Sequence, residues 1–313
     1  MKVLITGITG MVGGEFARAY KEQGHEVVGI ARPSAPARMY ESKRSDVIRC
    51  DLLDRDQIEK VIADVNPDLV IHMAAQAFNG LSWQCETLTH QTNYFGSLNL
   101  IRAVSHMKTP AKMLLACTSA EYGSFKPEEC PLKEDRDLRP ITPYGASKAG
   151  MEMLAYQYMA NYGLKIFLPR MFIHVGTGHP PATAIQNFAR QLAMAKKGLC
   201  EPEIHVGNLN TSRDFIDVRD GVNGMMLLAA SDMVGVPVNI CTGTAYKISD
   251  ILNWLIELAG IKVKVVRDER FVRISDEPTL VGDNSRLKSL GWKQKYTIKQ
   301  TLQAVLDDWM KRV

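Results

Sequence analysis

The chain has 313 residues, of which 46% are hydrophobic and 23% charged, a composition typical of a folded globular protein and not of a disordered or fibrous one. Its net charge of +4 is too small to indicate a nucleic-acid partner, and no apolar run approaches the length of a membrane span. Six cysteines without paired metal-ligand spacing predict reduced thiols, no metal site and a cytoplasmic location.

Short apolar runs alternate with amphipathic segments through the first half of the chain. The runs typical of strands are 2–6, 26–30, 69–72, 112–117 and 165–168, and the helical patterns are 12–23, 54–65, 93–104 and 144–162. Strands that alternate with helices of this length predict βαβ units and a parallel sheet covered on both faces. The predicted fold class is therefore α/β, with a Rossmann-type, doubly wound parallel sheet.

After about residue 172 the elements become shorter and proline and glycine separate them. A helix is predicted from Ser249 to Ala259, with Gly260 ending it, and an exposed strand over 262–265. A last helix has one apolar face, formed by Ile298, Leu302, Val305, Leu306 and Trp309. We therefore expect a dinucleotide-binding domain over residues 1–172. Residues 173–313 would form mainly a smaller C-terminal substrate lobe, with some segments returning to the first domain.

A glycine-rich loop follows the first predicted strand and opens the first predicted helix. Its spacing over residues 7–13, G-x-x-G-x-x-G, differs from G-x-G-x-x-G but places glycine where the backbone must turn sharply and approach a pyrophosphate. The helix N-terminus behind it supplies N–H donors and partial positive charge. We predict that this loop binds a dinucleotide through Gly7, Thr9, Gly10, Met11, Val12 and Gly13.

The end of the second strand indicates which dinucleotide binds. An acidic residue there would bind the ribose 2′-hydroxyl and repel a 2′-phosphate, but this chain has Ala31-Arg32. Arg32 can form a charge-assisted contact with the phosphate, and Arg38, Lys43 and Arg44 follow it closely in sequence. NADP(H) is therefore favoured, with NAD(H) as the alternative.

Two further strand ends extend the predicted cofactor site. Asp51-Leu52 follows the third strand, where these side chains can bracket the adenine. Met73-Ala74-Ala75 ends the fourth strand, and small side chains there let a cofactor pass close to the backbone. We therefore include both segments in the cofactor site.

Tyr144 and Lys148 lie four residues apart in a predicted helix and therefore share one face. A phenol with an ordinary pKa of roughly 10 is a poor base at neutral pH, and the charge of a neighbouring lysine favours the phenolate. The pair could then exchange a proton with a sugar hydroxyl or keto group. Thr118-Ser119, at another strand end, and the glycine-rich loop complete a set that indicates an NAD(P)-dependent oxidoreductase.

Over essentially its whole length the chain resembles the extended short-chain dehydrogenase/reductase family, in its nucleotide-sugar branch. The matching motifs are residues 7–13, His72-Met73-Ala74-Ala75, Asn93, Thr118-Ser119, 144–148 and 213–218. Segments 122–123, 138–145, 206–209 and 278–282 look most like GDP-4-keto-6-deoxy-D-mannose reductases and GDP-mannose 4,6-dehydratases. This resemblance implies a Rossmann domain with a substrate lobe, and a homodimer built from helices around 93–105 and 145–160.

The resemblance also implies roles for individual residues. Tyr144 would be the catalytic acid/base, Lys148 its pKa partner and a ribose contact, and Thr118 would hydrogen-bond the oxygen at C4 of the sugar. Asn93 would belong to the cofactor site. Contacts to the nucleotide-sugar substrate would come from Ser119, Arg213, Arg273 and Asp276.

Two positions depart from the family pattern. Dehydratases of this branch carry a glutamate two residues after the catalytic threonine, where this chain has Ala120, which cannot move a proton. The adjacent Glu121 would point to the opposite face if the segment were a strand, so only a bulge or irregular turn could bring it into the site. Relatives often have asparagine near the diphosphate where this chain has Ile173; His174 is the candidate to replace it, with a packed or solvent-facing histidine as the alternative.

Four hypotheses follow for the activity. Arg32 and the absent glutamate favour NADPH-dependent reduction at C4 of a nucleotide-linked, GDP-type 4-keto-6-deoxy sugar. A nucleotide-sugar 4-epimerase is second, although epimerases usually hold NAD, which Arg32 disfavours. GDP-mannose 4,6-dehydratase is third because of Ala120. A non-enzymatic dinucleotide sensor would need only the glycine-rich loop and is least supported, because Thr118, Tyr144 and Lys148 are all present.

Overall fold

A large parallel sheet with helices on both faces forms the centre of the molecule. The computed structural model describes residues 1–34, 46–271 and 278–313. Their strands are β1 (Lys2–Thr6), β2 (Glu26–Ala31), β3 (Val47–Arg49), β4 (Leu69–His72), β5 (Lys112–Leu115), β6 (Cys117–Thr118), β7 (Ile166–Met171), β8 (Ile173–Val175), β9 (Glu203–Val206), β10 (Ser212–Asp217), β11 (Pro237–Ile240), β12 (Ala245–Lys247), β13 (Lys264–Arg267) and β14 (Thr279–Leu280).

The helices connect these strands and cover the sheet. They are α1 (Met11–Glu22), α2 (Arg55–Val65), α3 (Asn79–Ser82), α4 (Glu86–His90), α5 (Gly96–Ser105), α6 (Pro143–Tyr162), α7 (Ala184–Lys196), α8 (Val218–Ala229), α9 (Ile248–Ala259), α10 (Ser285–Ser289) and α11 (Ile298–Arg312). One π-helical turn, Gln91–Phe95, joins α4 to α5. Among the described residues, none of these helices combines the length and apolar character that a membrane span requires.

The strand order of the large sheet is β3-β2-β1-β4-β5-β7-β11, with β6 also pairing with β7, and all its pairs are parallel. The order reverses between β1 and β4, and in doubly wound sheets ligands bind outside the carboxyl ends of the strands at such a point. The predicted α/β class with a Rossmann-type parallel sheet is confirmed.

Alternating side chains of the central strands bind the sheet to its two helix layers. In β1, Leu4 contributes to the core shared with α2, α5 and α6, whereas Val3 and Ile5 contribute to the core shared with α1 and α8. All three are fully buried. Because successive side chains in a strand point to opposite faces, an apolar run without alternation is what a sheet covered on both sides requires.

The second half of the chain builds a smaller core of its own. Helices α7, α9 and α11 pack together around Phe188, Leu255 and Trp309. A small sheet, β12-β10-β14 with β8 also on β10, and the pair β9-β13 complete this lobe. β11 is different, because this strand from the second half lies in the large sheet beside β7. The division at residue 172 stays a prediction.

Several predicted boundaries were moved by local geometry. The run 112–117 divides into β5 and β6 at Ala116, and the helical pattern over 93–104 divides into the π-helical turn and α5. The bounds predicted for the exposed strand, 262–265, are wrong by two residues, because the strand that pairs with β9 is Lys264–Arg267. Helix α9 ends as predicted, since Gly260 adopts a left-handed φ of +66°.

Candidate active site

The glycine-rich loop turns at the carboxyl end of β1 and leads into α1. Gly7 has a φ of +68°, and its N–H donates to the Ile30 carbonyl at 2.9 Å. A methyl group at Gly7 would lie 2.8 Å from the Ala74 nitrogen, and one at Gly13 would collide with the Gly7 carbonyl. Gly10 is the N-cap of α1 and has no side-chain cap. The loop therefore combines free N–H groups at a helix start with bare backbone, which fits a pyrophosphate.

A buried chain of hydrogen bonds fixes the loop after β4 next to this turn. Ser97 Oγ donates to the Asn93 carbonyl at 2.5 Å, so it accepts from His72 Nε2 at 2.8 Å. His72 Nδ1 then accepts from Thr6 Oγ1 at 2.7 Å, and Thr6 Oγ1 accepts from the Ala74 N–H at 3.2 Å. Burial lowers the pKa of His72 to about 3, so the ring is neutral, and its contacts with Ser97 and Thr6 assign the proton to Nε2. Met73, Ala74 and Ala75 are thereby held at the sheet edge, partly exposed.

Asn93 is placed by the π-helical turn and connects three segments. Its Oδ1 accepts from the Gln76 N–H at 2.8 Å, and its Nδ2 donates to the Gln76 carbonyl and to Ser147 Oγ. Ser147 in turn donates to the Tyr144 carbonyl at 2.7 Å. In the described structure Asn93 therefore organises the loop after β4 and the start of α6. Gln76 and Ser147 were missed by sequence reasoning, since nothing in their local pattern marks them.

Two glycines allow the start of α6 to approach the turn after β6. A methyl group at Gly145 would lie 2.5 Å from the Ala120 carbonyl oxygen, and one at Gly123, where φ is +66°, would collide with the Arg139 carbonyl. Thr142 caps the helix by accepting from the Gly145 N–H at 3.1 Å. This close approach brings the predicted Thr118 and Tyr144 together.

The Tyr144 phenol lies close enough to the Thr118 side chain for that side chain to affect its pKa. Burial nevertheless raises the pKa of Tyr144 to about 12, while the Thr118 side chain lowers it and nearby Glu121 raises it further. The net shift of this pKa is upward because desolvation is its largest cause, and the expected lowering by Lys148 stays a prediction. A phenol that stays protonated is suited to donate a proton.

Lys148 lies one turn further along α6 and is 2% exposed. Its Nζ donates to the Ala116 carbonyl at 2.8 Å, and Met151 Sδ is 3.8 Å away. Burial lowers the pKa of Lys148 below its ordinary value. The lysine thus lies behind the strand end that carries Thr118, within the fold and not on its surface.

The segment after Thr118 is a short 3₁₀ helix, Ser119–Glu121, and not the strand continuation considered from the sequence. Ser119 is buried and Ala120 is partly buried. Glu121 turns back into the protein, is fully buried, and its Oε1 accepts from the Thr118 N–H at 2.8 Å. This carboxyl group is therefore enclosed by the protein and bonded to the backbone of its own turn. The irregular turn does not expose Glu121 as a displaced base.

Arg32 directly follows β2 and is exposed. Its carbonyl accepts from Arg49 Nη1 at 2.9 Å, which holds the end of β3 beside it. Asp51 Oδ1 accepts from the Leu53 N–H, and Leu52 is buried against the cores of α2 and α5. Of the basic residues considered with Arg32, three lie outside the described residues, namely Arg38, Lys43 and Arg44.

The predicted substrate residues belong mainly to the second lobe. Arg213 in β10 is 7% exposed, and its Nη1 donates to the Ser212 carbonyl at 2.8 Å. Arg273 and Asp276 lie outside the described residues. His174 Nδ1 donates to the Phe172 carbonyl, and burial lowers the pKa of His174 to about 4. A neutral, packed imidazole gives no charge to a diphosphate, and Ile173 packs in the lobe core.

Known proteins are similar to this chain in sequence over essentially all of its length. The family model for GDP-mannose 4,6 dehydratase matches residues 4–305. GDP-6-deoxy-D-mannose reductase of Pseudomonas aeruginosa is 30% identical over 313 residues, covering 100% of this chain and 98% of that enzyme.

Two solved structures show the same arrangement. RMD from Pseudomonas aeruginosa, complexed with NADPH, superposes with a TM-score of 0.87 at 30% identity, covering 100% of this chain and 99% of that one. UDP-glucose 4-epimerase of Thermus thermophilus, in complex with NAD, has a TM-score of 0.90 at 26% identity, with both chains covered completely. The resemblance predicted from the motifs is thus confirmed, and the chain belongs to the GDP-mannose 4,6-dehydratase family, within the nucleotide-sugar oxidoreductases of the short-chain dehydrogenase/reductase fold.

Proposed function

We propose that this protein is an NADPH-dependent reductase that acts at C4 of a GDP-linked 4-keto-6-deoxy sugar. The observation that carries the proposal is the arrangement after β6. A protonated Tyr144 lies beside Thr118, while Glu121, the carboxyl group of that turn, is fully buried and accepts the Thr118 N–H. This set can protonate a carbonyl oxygen but offers no carboxylate for taking a proton from C5.

Thr118, Tyr144 and Lys148 have different roles in the proposed reduction. The C4 oxygen of a sugar bound beside these residues would accept hydrogen bonds from Thr118 Oγ1 and the Tyr144 hydroxyl. Bound NADPH supplies the hydride to C4. Tyr144 donates its proton to the oxygen, so that a C=O bond becomes a CH–OH group and the phenolate remains. Lys148, beneath Thr118, stabilises that phenolate by its charge.

The glycine-rich loop and Arg32 support the choice of NADP(H). Bare backbone at Gly7 and Gly13 leaves room for the pyrophosphate at the start of α1. The exposed Arg32 at the end of β2 replaces the acid that would repel a 2′-phosphate. The homologous RMD structure contains NADPH, whereas the epimerase structure contains NAD.

Replacing Arg32 with alanine tests this cofactor assignment. We expect the affinity for NADPH to fall by about 1–3 kcal/mol, the scale of one charge-assisted contact, and the affinity for NADH to stay nearly constant. Calorimetry on both variants measures this directly, with Arg267→Ala, an exposed arginine on β13, as the matched control. Equal affinity of the wild-type protein for NADPH and NADH would contradict the assignment.

The reaction class is tested with two substrates. Given a preformed GDP-4-keto-6-deoxy sugar, the protein should oxidise one NADPH for each sugar reduced, followed by absorbance and product mass. Given GDP-mannose alone, it should release no water, because the turn after Thr118 presents Ala120 and not a carboxylate. A mass loss of about 18 daltons without added reductant would refute the reductase and favour the dehydratase.

A nucleotide-sugar 4-epimerase is the second candidate, favoured by the structural match to an NAD-containing UDP-glucose 4-epimerase. Such an enzyme needs the same threonine, tyrosine and lysine but returns the hydride to the sugar. Interconversion of two 4-hydroxy sugars without net loss of NADPH would distinguish it from the reductase.

Two further proposals concern the state of the protein in the cell. Exposed apolar side chains on α4, the π-helical turn and α6, namely Leu88, Phe95, Met153 and Tyr162, support a homodimer through this part of the surface, which sedimentation would test. The six cysteines are all free thiols, which supports a reducing, cytoplasmic location that fractionation of cells would test.

A further inference from the structure

A buried cluster of charged residues lies directly behind Thr118. Glu121 and Glu152 are fully buried, and Arg170 is 4% exposed. A carboxyl oxygen of each glutamate and Cys117 Sγ all lie within 4.8 Å of one another. Two acids and one guanidinium thus share a volume without water access.

Glu152 receives more hydrogen bonds from this cluster than Glu121 does. Arg170 donates to both oxygens of Glu152, through Nε at 3.1 Å and Nη2 at 2.6 Å, and its Nη1 donates to the Tyr122 hydroxyl and the Glu134 carbonyl. Glu121 Oε2 is only within 3.9 Å of Arg170 Nε and has no donor among the described residues. Its near neighbour is Glu152, itself an acceptor.

A buried carboxylate oxygen without a donor is strongly unfavourable. If the two carboxyl groups share one proton, the protonated acid donates a hydrogen bond to the ionised one, and neither group is left without a partner. Burial and the charge of Glu152 also raise the pKa of Glu121 well above its usual range, whereas the Arg170 guanidinium lowers the pKa of Glu152. The proton therefore belongs to Glu121, with Glu152 as the ionised partner of Arg170.

We propose that Glu121 is a positioning residue for the reaction at Thr118 and acts as a neutral acid that shares its proton with Glu152. Its Oε1 accepts from the Thr118 N–H and closes the turn whose other hydrogen bond runs from the Ala120 N–H to Thr118 Oγ1 at 3.3 Å. The acid thereby fixes the backbone that carries the threonine. A neutral Glu121 does so without the negative charge that would raise the pKa of Tyr144 further.

The inference rests on the proposed reductase function and is tested with three variants. Glu121→Gln keeps an acceptor for Thr118 and a donor for Glu152, so kcat should stay within about 3-fold of wild type. Glu121→Met keeps the volume but loses both hydrogen bonds. Its kcat should fall roughly 10- to 100-fold, because a displacement of about 1 Å in a catalytic group costs up to about 100-fold, while the Kd for NADPH stays unchanged.

Glu134→Met is the matched control. Glu134 is also buried, and its Oε1 accepts a backbone N–H, that of Asn239, at 2.9 Å. This variant should lower Tm as Glu121→Met does but leave kcat within about 3-fold. An equal loss of kcat in Glu134→Met would overturn the positioning role, and so would a Glu121→Gln variant as inactive as Glu121→Met. If Glu121 were instead a catalytic base, glutamine would abolish turnover.

Infrared spectroscopy tests the shared proton independently of turnover. The difference spectrum between wild type and Glu121→Gln at neutral pH should contain the carbonyl band of a protonated carboxylic acid. Its absence would overturn the neutral-acid assignment, even if Glu121→Met folds too poorly to assay. A wild-type protein that shows the band but does not reduce the keto sugar would refute the proposed reductase function and leave the shared proton standing.

Discussion

Replacing Tyr144 with phenylalanine is expected to lower kcat for keto-sugar reduction about 100-fold or more. The substitution keeps the ring and removes only the hydroxyl proposed as the proton donor, and general acid catalysis by one group contributes at least about 100-fold. The Kd for NADPH should change little, because the glycine-rich loop and Arg32 are untouched. Single-turnover kinetics and calorimetry measure the two quantities separately.

Tyr158→Phe is the matched control for this prediction. Tyr158 lies on the same helix α6, its ring is buried, and it stacks on Tyr162 at a centroid distance of 4.9 Å. Loss of its hydroxyl should leave kcat within about 2-fold, in the range of most changes remote from the site. Near-native turnover of Tyr144→Phe would show that another group protonates the sugar oxygen.

The raised pKa of Tyr144 also predicts how the reaction rate depends on pH if Tyr144 is the proton donor. Reduction consumes the protonated phenol, and with a pKa of about 12 the phenol keeps its proton from neutral pH well into the alkaline range. The rate of reduction should therefore not decline through Tyr144 as pH rises in that range. The reverse oxidation needs the phenolate, so its rate should increase with pH. An alkaline loss of reduction that disappears in Glu121→Gln would instead point to the buried carboxyl pair.

Much of this site was accessible to sequence reasoning because its signals are local. The glycine spacing at residues 7–13 reports a strand-to-helix turn, and Tyr144 and Lys148 are one helical turn apart, so short-range periodicity placed each of them on the correct element. The parallel sheet then follows from alternating strands and helices, and it brings the ends of β1, β4 and β6 to one edge.

Contacts between residues far apart in the chain could not be predicted from local sequence patterns. The role of Gly123 depends on the Arg139 carbonyl and that of Gly145 on the Ala120 carbonyl, and neither approach has a local signature. Glu121 illustrates the same limit. From the sequence it was a neighbour on a strand, whereas a 3₁₀ turn directs it towards Arg170, a residue 49 positions later whose partner is Glu152 on α6.

The effect of burial on a pKa is also not predictable from the spacing of two residues in the sequence. A lysine four residues from a tyrosine predicts a lowered phenol pKa if both groups are hydrated. In the fold, Lys148 is 2% exposed and donates to the Ala116 carbonyl, while burial raises the Tyr144 pKa. The direction of the shift therefore depends on the packing around α6, which only the folded chain specifies.

Lys148→Met should lower both kcat and the affinity for NADPH. Methionine matches the length of the lysine stem but cannot donate to the Ala116 carbonyl or place a charge behind Thr118. Loss of electrostatic stabilisation of the phenolate should reduce kcat about 100-fold. The resemblance also implies a charge-assisted contact from Lys148 to the nicotinamide ribose, and its loss should weaken NADPH binding by about 1.5–3 kcal/mol. Pre-steady-state kinetics and calorimetry would measure the two effects.

The control is Lys196→Met, because Lys196 Nζ also donates to a backbone carbonyl, that of Ala259 at 2.7 Å, but between α7 and α9. Both substitutions leave one carbonyl without its lysine donor, but Lys148 is buried and Lys196 is exposed, so Lys148→Met should lower Tm more, at a cost of about 1–3 kcal/mol in unfolding free energy. Only Lys148→Met should change kcat and the NADPH Kd. If it lost stability but bound NADPH normally and kept its turnover, Lys148 would be a buried structural lysine, and the charge that stabilises the Tyr144 phenolate would have to come from elsewhere in the site.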